Sequence, residues 1–230
     1  MRKFLLLLAA LLVLSGTAGA SEAAPAGYVA LTFDDGPSGD ITEALLDGLN
    51  ARDAKATFFL CGYRMEQYPS ALPRYLAEGH EVGVHSTVHT DLTKLSPAEV
   101  HRDMKETAQR IFVETGVRPT LMRPPGGAWD GTVQAEAAAE GMSLILWSVD
   151  PRDWAVTDAD AVLQAMAGCA GDGDVILMHD LSKSSVEAAL RLVDRMQARG
   201  YRFVTVSELA ARTGTVLAPG QVFRRFPPPA

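Results

Sequence analysis

Tyr28-Val29-Ala30-Leu31-Thr32-Phe33-Asp34-Asp35-Gly36-Pro37-Ser38 decides how this chain folds. Residues 28–33 are apolar, aromatic or β-branched, the composition of a strand. Two carboxylates follow at once, and Gly-Pro then breaks the run with turn chemistry. Six further short apolar or β-branched runs lie at 56–60, 81–84, 120–122, 143–149, 174–178 and 202–206. The stretches between them have helical spacing, as in Ile41, Leu45, Leu46 and Leu49, or Val186, Leu190, Val193 and Met196. Ser96-Pro97-Ala98-Glu99 is a helix start, with a capping Ser, Pro at the first helical position and Glu at the third. Gly79, Gly116, Gly141 and Gly200 stand where helices should end. Strands alternating with helices predict one α/β domain on a mostly parallel sheet of about seven strands, closed as a barrel or left open.

The first twenty residues stand apart. Arg2 and Lys3 precede the apolar run 4–14, and small residues end in Ala18-Gly19-Ala20. This is the pattern of a secretory signal peptide cleaved after Ala20. The run is shorter than the roughly 20 residues a spanning helix needs, so no stable membrane insertion is expected after cleavage. The expected organisation is a signal peptide at 1–20, a domain at 21–216 and a tail at 217–230 with few helix or strand signals. Without the leader, 19 basic residues face 28 acidic ones, a net charge of −9. An acidic exported domain with no basic cluster is poorly suited to nucleic acid or anionic membrane. Cys61 and Cys169 are the only cysteines. They can pair in an oxidising compartment or remain two buried thiols.

Asp34-Asp35, His85, Arg123, Asp150 and His179 each fall just beyond the C-terminal end of a predicted strand. In parallel α/β folds that edge is where active sites form, in barrels and open sheets alike. His85 and His89 are four residues apart, so both imidazoles can face one point. With one carboxylate they form a three-ligand set, and three protein ligands plus an open position mark a catalytic metal site more than a structural one. The second carboxylate is left over to accept a proton. Adjacent carboxylates repel; a metal on one and an arginine, for which Arg123 is available, on the other would stabilise the pair. His179 follows the apolar run 174–178, and Asp150-Pro151-Arg152-Asp153-Trp154 offers a carboxylate to orient it and an aromatic wall. His80, opening a strand, and His101, on a charged helix face, are left out of the site.

Thr-Phe-Asp-Asp-Gly-Pro-Ser (32–38), His-Ser-x-x-His (85–89), Arg-Pro-Pro-Gly-Gly (123–127), Asp-x-x-Asp-Trp (150–154) and Leu-Met-His-Asp (177–180) together resemble the five ordered motifs of polysaccharide deacetylases, carbohydrate esterase family 4 with its NodB-like domain. The resemblance spans about residues 28–210. It implies a distorted, incomplete (β/α) barrel and metal-dependent removal of acetyl groups from sugars. Asp35, His85 and His89 would hold one divalent metal, with zinc the first choice and cobalt or nickel able to occupy the same ligands. Asp34 would be the base held by Arg123, and His179 the acid tuned by Asp153. Trp154 and Leu177 would receive the acetyl methyl, Pro124 would lie with them against substrate, and the Gly126 N–H would help hold the oxyanion.

Two departures stand out. Many members have Tyr where this chain has Gly126, which keeps the N–H and drops the ring. Pro often precedes the Asp where this chain has Thr90-Asp91. The expected reaction is N-deacetylation of an acetylated polysaccharide such as peptidoglycan or chitin oligomers, outside the cytoplasm. The nearest alternative is an O-acetyl esterase acting on xylan. Outside that class stand a small-molecule amidohydrolase and an inactive carbohydrate-binding relative.

Overall fold

The computed structural model describes residues 24–166 and 168–227, so the predicted leader lies outside the described residues. All seven expected strands form: β1 (Gly27–Asp34), β2 (Ala56–Cys61), β3 (Glu81–Ser86), β4 (Leu121–Met122), β5 (Ser143–Ile145), β6 (Val175–His179) and β7 (Tyr201–Phe203). Between and after them lie α1 (Asp40–Asn50), α2 (Gly62–Gln67), α3 (Leu72–Ala77), α4 (Pro97–Thr115), α5 (Gly131–Ala139), α6 (Ala159–Ala165), α7 (Lys183–Gln197) and α8 (Val206–Arg212). The punctuation read from sequence holds. Ser96 and Glu99 form a capping box at the start of α4, and Gly116 ends that helix at φ 74°.

The sheet runs β6-β1-β2-β3-β4-β5, with every ladder parallel, and β7 pairs with the first three residues of β1. Side chains alternate between faces along each strand. The face of β1 that carries Ala30 and Thr32 therefore also carries Asp34. Ala30, Phe59, Leu121, Ile145 and Val175 form an apolar cluster inside the curl of the sheet. Leu31, Phe33, Phe58, Leu60 and Ile176 face the other way, against the buried leucines of α1 and the apolar face of α7. The inside of the curl is thus apolar at the bottom and polar at the carboxyl ends of the strands, where Asp34 and His179 stand.

No ladder joins β5 to β6, so the barrel is incomplete. The expected strand at 143–149 is split by this seam: three residues pair with β4, and Val149 then forms a lone parallel bridge to Ile176. The lower part of the seam is filled by the chain's end. The stretch 217–230, with few helix or strand signals, was expected to pack loosely over the domain or hang free. Instead β8 (Val222–Phe223) pairs with β5, Arg225 bridges Asp174, and the Phe226 N–H donates to the Gly173 carbonyl at 2.8 Å. Phe226 is fully buried in the inner cluster. An apolar run this short, followed by Pro227, carries no strand periodicity of its own; the unpaired edge of β5 supplies its reason to be extended.

Candidate active site

Asp34 ends β1 on its inner face. Asp35 would point outward if the strand continued, but its φ of 72° turns the chain so that both carboxylates line one cavity. Asp tolerates that left-handed conformation better than most residues. The Asp-Gly-Pro turn is braced from below. Asp180 is fully buried against Gly36, where a Cβ would collide with its carboxylate, and it accepts a hydrogen bond from Thr42 Oγ1. Burial pushes the Asp180 carboxyl up to about 6.

His85 is on β3. His89 reaches the same point through a turn with φ 56°, not through the helical turn that the four-residue spacing suggested. Asp103, on the buried face of α4, fixes that turn by accepting hydrogen bonds from Ser86 Oγ and the Thr87 N–H at 3.1 and 3.0 Å. The Nε2 atoms of His85 and His89 lie 3.1 and 3.2 Å from Asp35 Oδ1. The ligand atoms of these three residues all fall within 4.8 Å of one another. His85 Nδ1 sits 2.7 Å from the Arg123 carbonyl. A carbonyl only accepts, so Nδ1 carries the hydrogen and Nε2 is the atom free to ligate.

These donors fit a divalent metal. Asp35 Oδ1 is buried without a hydrogen-bond partner, and a cation between it and the two imidazole nitrogens would satisfy it. The electrostatics agree. Burial opposes a charged His85, but Asp34 and Asp35 outweigh it and raise its pKa. Burial likewise opposes ionisation of Asp35, and the neighbouring His85, with His89 and His179, outweighs that and lowers its pKa. The site attracts positive charge, and a metal entering it displaces protons.

Arg123 is fully buried, with its guanidinium under Asp34. Nη1 donates to Asp34 Oδ1 at 2.7 Å and to Thr32 Oγ1 at 2.8 Å; Nε and Nη2 donate to the carbonyls of Ile145 and Leu146. The Phe59 ring lies 4.3 Å from the guanidinium carbon. This is a buried ion pair with its donors almost fully used. Removing one partner of such a pair costs about 3–5 kcal/mol, a large share of a domain's ordinary stability of about 5–15 kcal/mol. Arg123→Ala is therefore expected to shift the urea midpoint strongly as well as to lower turnover, more mildly than loss of the Asp34 carboxylate itself. A midpoint within error of wild type would refute the structural half of this role.

His179 ends β6. Asp153, fully buried in the short turn Asp153–Ala155, accepts from His179 Nδ1 at 2.8 Å and from the His179 N–H at 2.9 Å. Burial lowers the imidazole's pKa, but the hydrogen bond and charge of Asp153, with Asp34 and Asp35, outweigh it and raise it to about 8. The carboxylate that orients His179 is thus Asp153; Asp150 instead accepts from the Arg152 N–H.

Asp34, Asp35, His85, His89, Gly126, Trp154, Leu177 and His179 line one cavity of about 370 Å³. Arg123 and Asp153 stand behind its wall. Pro124 is buried and does not line it, its carbonyl accepting from the Gly127 N–H. The Gly126 N–H has no hydrogen-bond partner among the described residues and belongs to the cavity wall. A larger open groove of about 890 Å³ runs along α4, lined by side chains of mixed charge. Cys61 and Cys169 do not pair: Cys61 is buried in β2 and Cys169 is exposed.

Thr32 and Asp180 lie in the quoted motifs but were given no role; Asp103 and Trp147 also belong to this assembly and were not singled out from sequence. Asp103 leaves a trace there, a carboxylate in line with Val100, Met104 and Ile111 on the buried stripe of α4. An acid in an apolar stripe has a buried partner.

Residues 21–145 match the family model described as polysaccharide deacetylase. The chain is 42% identical over 181 residues to a peptidoglycan-N-acetylglucosamine deacetylase of Listeria monocytogenes, a match covering 79% of this chain and 38% of that protein. It therefore spans about two fifths of that relative's length. A solved peptidoglycan deacetylase from Bacillus subtilis superposes with a TM-score of 0.77 at 39% identity, covering 80% of this chain and 90% of that one. A family 4 acetyl xylan esterase from Clostridium thermocellum, solved in complex with a cobalt ion, superposes with a TM-score of 0.81 at 29% identity, covering 87% and 99%.

Proposed function

The chain belongs to the polysaccharide deacetylase family, and from that premise we propose that it is an extracytoplasmic, metal-dependent hydrolase removing N-acetyl groups from N-acetylhexosamine units of a polysaccharide such as peptidoglycan or chitin oligomers. One observation supports this most. A single cavity joins a convergent three-ligand set to two proton-transfer groups, each braced by its own buried partner. An inactive relative would be expected to lack at least one of Asp34, Arg123 and His179, and this chain has all three.

Asp35, His85 and His89 would hold the metal, zinc first by donor type. When bound it supplies Lewis-acid polarisation of the acetyl carbonyl and a more acidic water. Asp34 is engaged by Arg123 through Oδ1; its Oδ2 lies 4.0 Å from His85 Nε2, facing the ligand set. Oδ2 is therefore the oxygen placed to take the proton of an attacking water. The unpartnered Gly126 N–H would donate to the oxyanion, a contact of a kind worth about 3–4 kcal/mol per donor elsewhere. His179 keeps Nδ1 on Asp153 and, with its pKa near 8, holds a proton on Nε2 at neutral pH. That proton goes to the departing nitrogen, which leaves as an amine. Trp154 and Leu177 would enclose the acetyl methyl, with Pro124 supporting the loop beside Gly126.

The extracytoplasmic location rests on the leader pattern at 1–20 and on the peptidoglycan named for relatives. Among the described residues no helix is long and apolar enough to cross a membrane. The test is acetate release from peptidoglycan, chitin oligomers and acetylxylan by zinc-loaded protein. Free amino groups should appear in step with acetate on the first or second substrate. Acetate from acetylxylan alone would make the protein an O-acetyl esterase, and none from any would overturn the proposal.

A further inference from the structure

The rim of the cavity carries a cation that neither the fold nor the chemistry above employs. Arg152 is exposed, and its guanidinium carbon lies 5.2 Å from the centroid of the Trp154 ring, which is itself 59% exposed. Among the described residues the Arg152 side chain forms no ion pair and no hydrogen bond; its backbone alone is engaged, the N–H donating to Asp150 Oδ1 at 2.8 Å and the carbonyl accepting from the Ala155 N–H at 2.9 Å. Its backbone is left-handed, with φ 56° and ψ 42°. It is held between that Asp150 turn and Asp153, which is itself pinned by two hydrogen bonds to His179. The side chain thus departs from a hydrogen-bonded turn. Elsewhere on the same cavity wall Gly126 contributes no side chain, and a Cβ built there would meet nothing within 4 Å. The wall is therefore open at that point.

We infer that Trp154 and Arg152 form a subsite for an acidic sugar, an N-acetylhexosamine whose own substituent carries a carboxylate. The apolar face of the sugar would lie toward Trp154, and the carboxylate would meet the guanidinium, whose planar fork matches it with two parallel N–H donors. Charge supports the assignment. The chain is net −7 and Asp150 lines the same cavity, so a carboxylate on the sugar needs a cation beside it, and Arg152 supplies one. The inference rests on the deacetylase proposal and narrows its substrate.

The test compares kcat/KM for two oligosaccharides of equal length, one containing N-acetylmuramic acid and one built of N-acetylglucosamine alone. Arg152→Gln should reduce the acidic-to-neutral ratio about three- to fivefold, the size of an exposed ion pair. The loss should fall in KM and shrink as salt is raised. Asp150→Asn should move the ratio the other way. Equal losses on both oligosaccharides, or an unchanged ratio, would overturn the subsite. Dissociation constants for the same pair, measured in an Asp34→Asn background by tryptophan fluorescence, separate this inference from the one beneath it. Arg152-dependent binding of the acidic oligosaccharide, with no acetate released by wild type from either, would keep the subsite and overturn deacetylation. No Arg152 dependence in binding would overturn the subsite whatever the turnover.

Discussion

Asp34→Asn should lower acetate release by about 10²–10⁴-fold, the usual loss when a general base is removed, while the protein still binds one equivalent of metal. The amide keeps the size of the carboxylate and can still accept from Arg123 Nη1, which now meets Oδ1 at 2.7 Å. It cannot accept the water's proton. Asp35→Asn should do the opposite. Asp35 Oδ1 is the oxygen 3.1 and 3.2 Å from the two imidazole nitrogens. Removing its charge should weaken metal affinity, with turnover partly recovered in excess metal. Metal content and acetate release measured together on both variants decide the matter. Loss of metal from Asp34→Asn with retention by Asp35→Asn would reverse the two roles.

The second large effect concerns the proton delivered to the leaving nitrogen. His179 has a pKa raised to about 8, so its acid form dominates below that pH and is lost above it. A reaction that needs the acid form should therefore decline on the alkaline side, above about pH 8. Asp153→Asn removes the hydrogen-bonded anion that does most to raise the pKa. The alkaline limb should then move to lower pH, by about one unit or more, and kcat at pH 8 should fall by at least about 10²-fold. His179→Ala should show a similar loss of turnover and no such limb. If Asp153→Asn lowered kcat without moving the limb, Asp153 would serve only to position the ring.

Much of this assembly is legible in the linear sequence because parallel α/β folds collect the ends of their strands. Each strand's run of apolar residues is local, and so is the charged residue that follows it; Asp34, Arg123 and His179 could be placed at one edge without knowing the strand order. The conformation of His89 was not legible. A spacing of four fits a helical turn, and the turn used here depends on Asp103, fourteen residues further along on α4. The brace of Asp180 on Thr42 and Gly36 joins the two ends of the sequence in the same way. The C-terminal strand was hidden for a related reason. Val222 and Phe223 have no periodicity to display, and only the open edge of β5 makes them a strand. Arg123 reads as a ligand to Asp34 in the sequence, whereas its bonds to Thr32, Ile145 and Leu146 make it equally a tie across the barrel. Carbonyl acceptors leave no mark in a sequence.

The central claim is that one metal ion at Asp35, His85 and His89 makes this cavity a deacetylase. The most direct test strips the wild-type protein of metal and titrates zinc back while following acetate release from an N-acetylated peptidoglycan or chitin oligosaccharide. Activity should be absent at first, rise in proportion to added zinc and level off at one equivalent. His85→Ala and His89→Ala should stay near zero over the same range with their fold intact by circular dichroism. Acetate release by the stripped protein, or a rise that needs no histidine at either position, would contradict the claim.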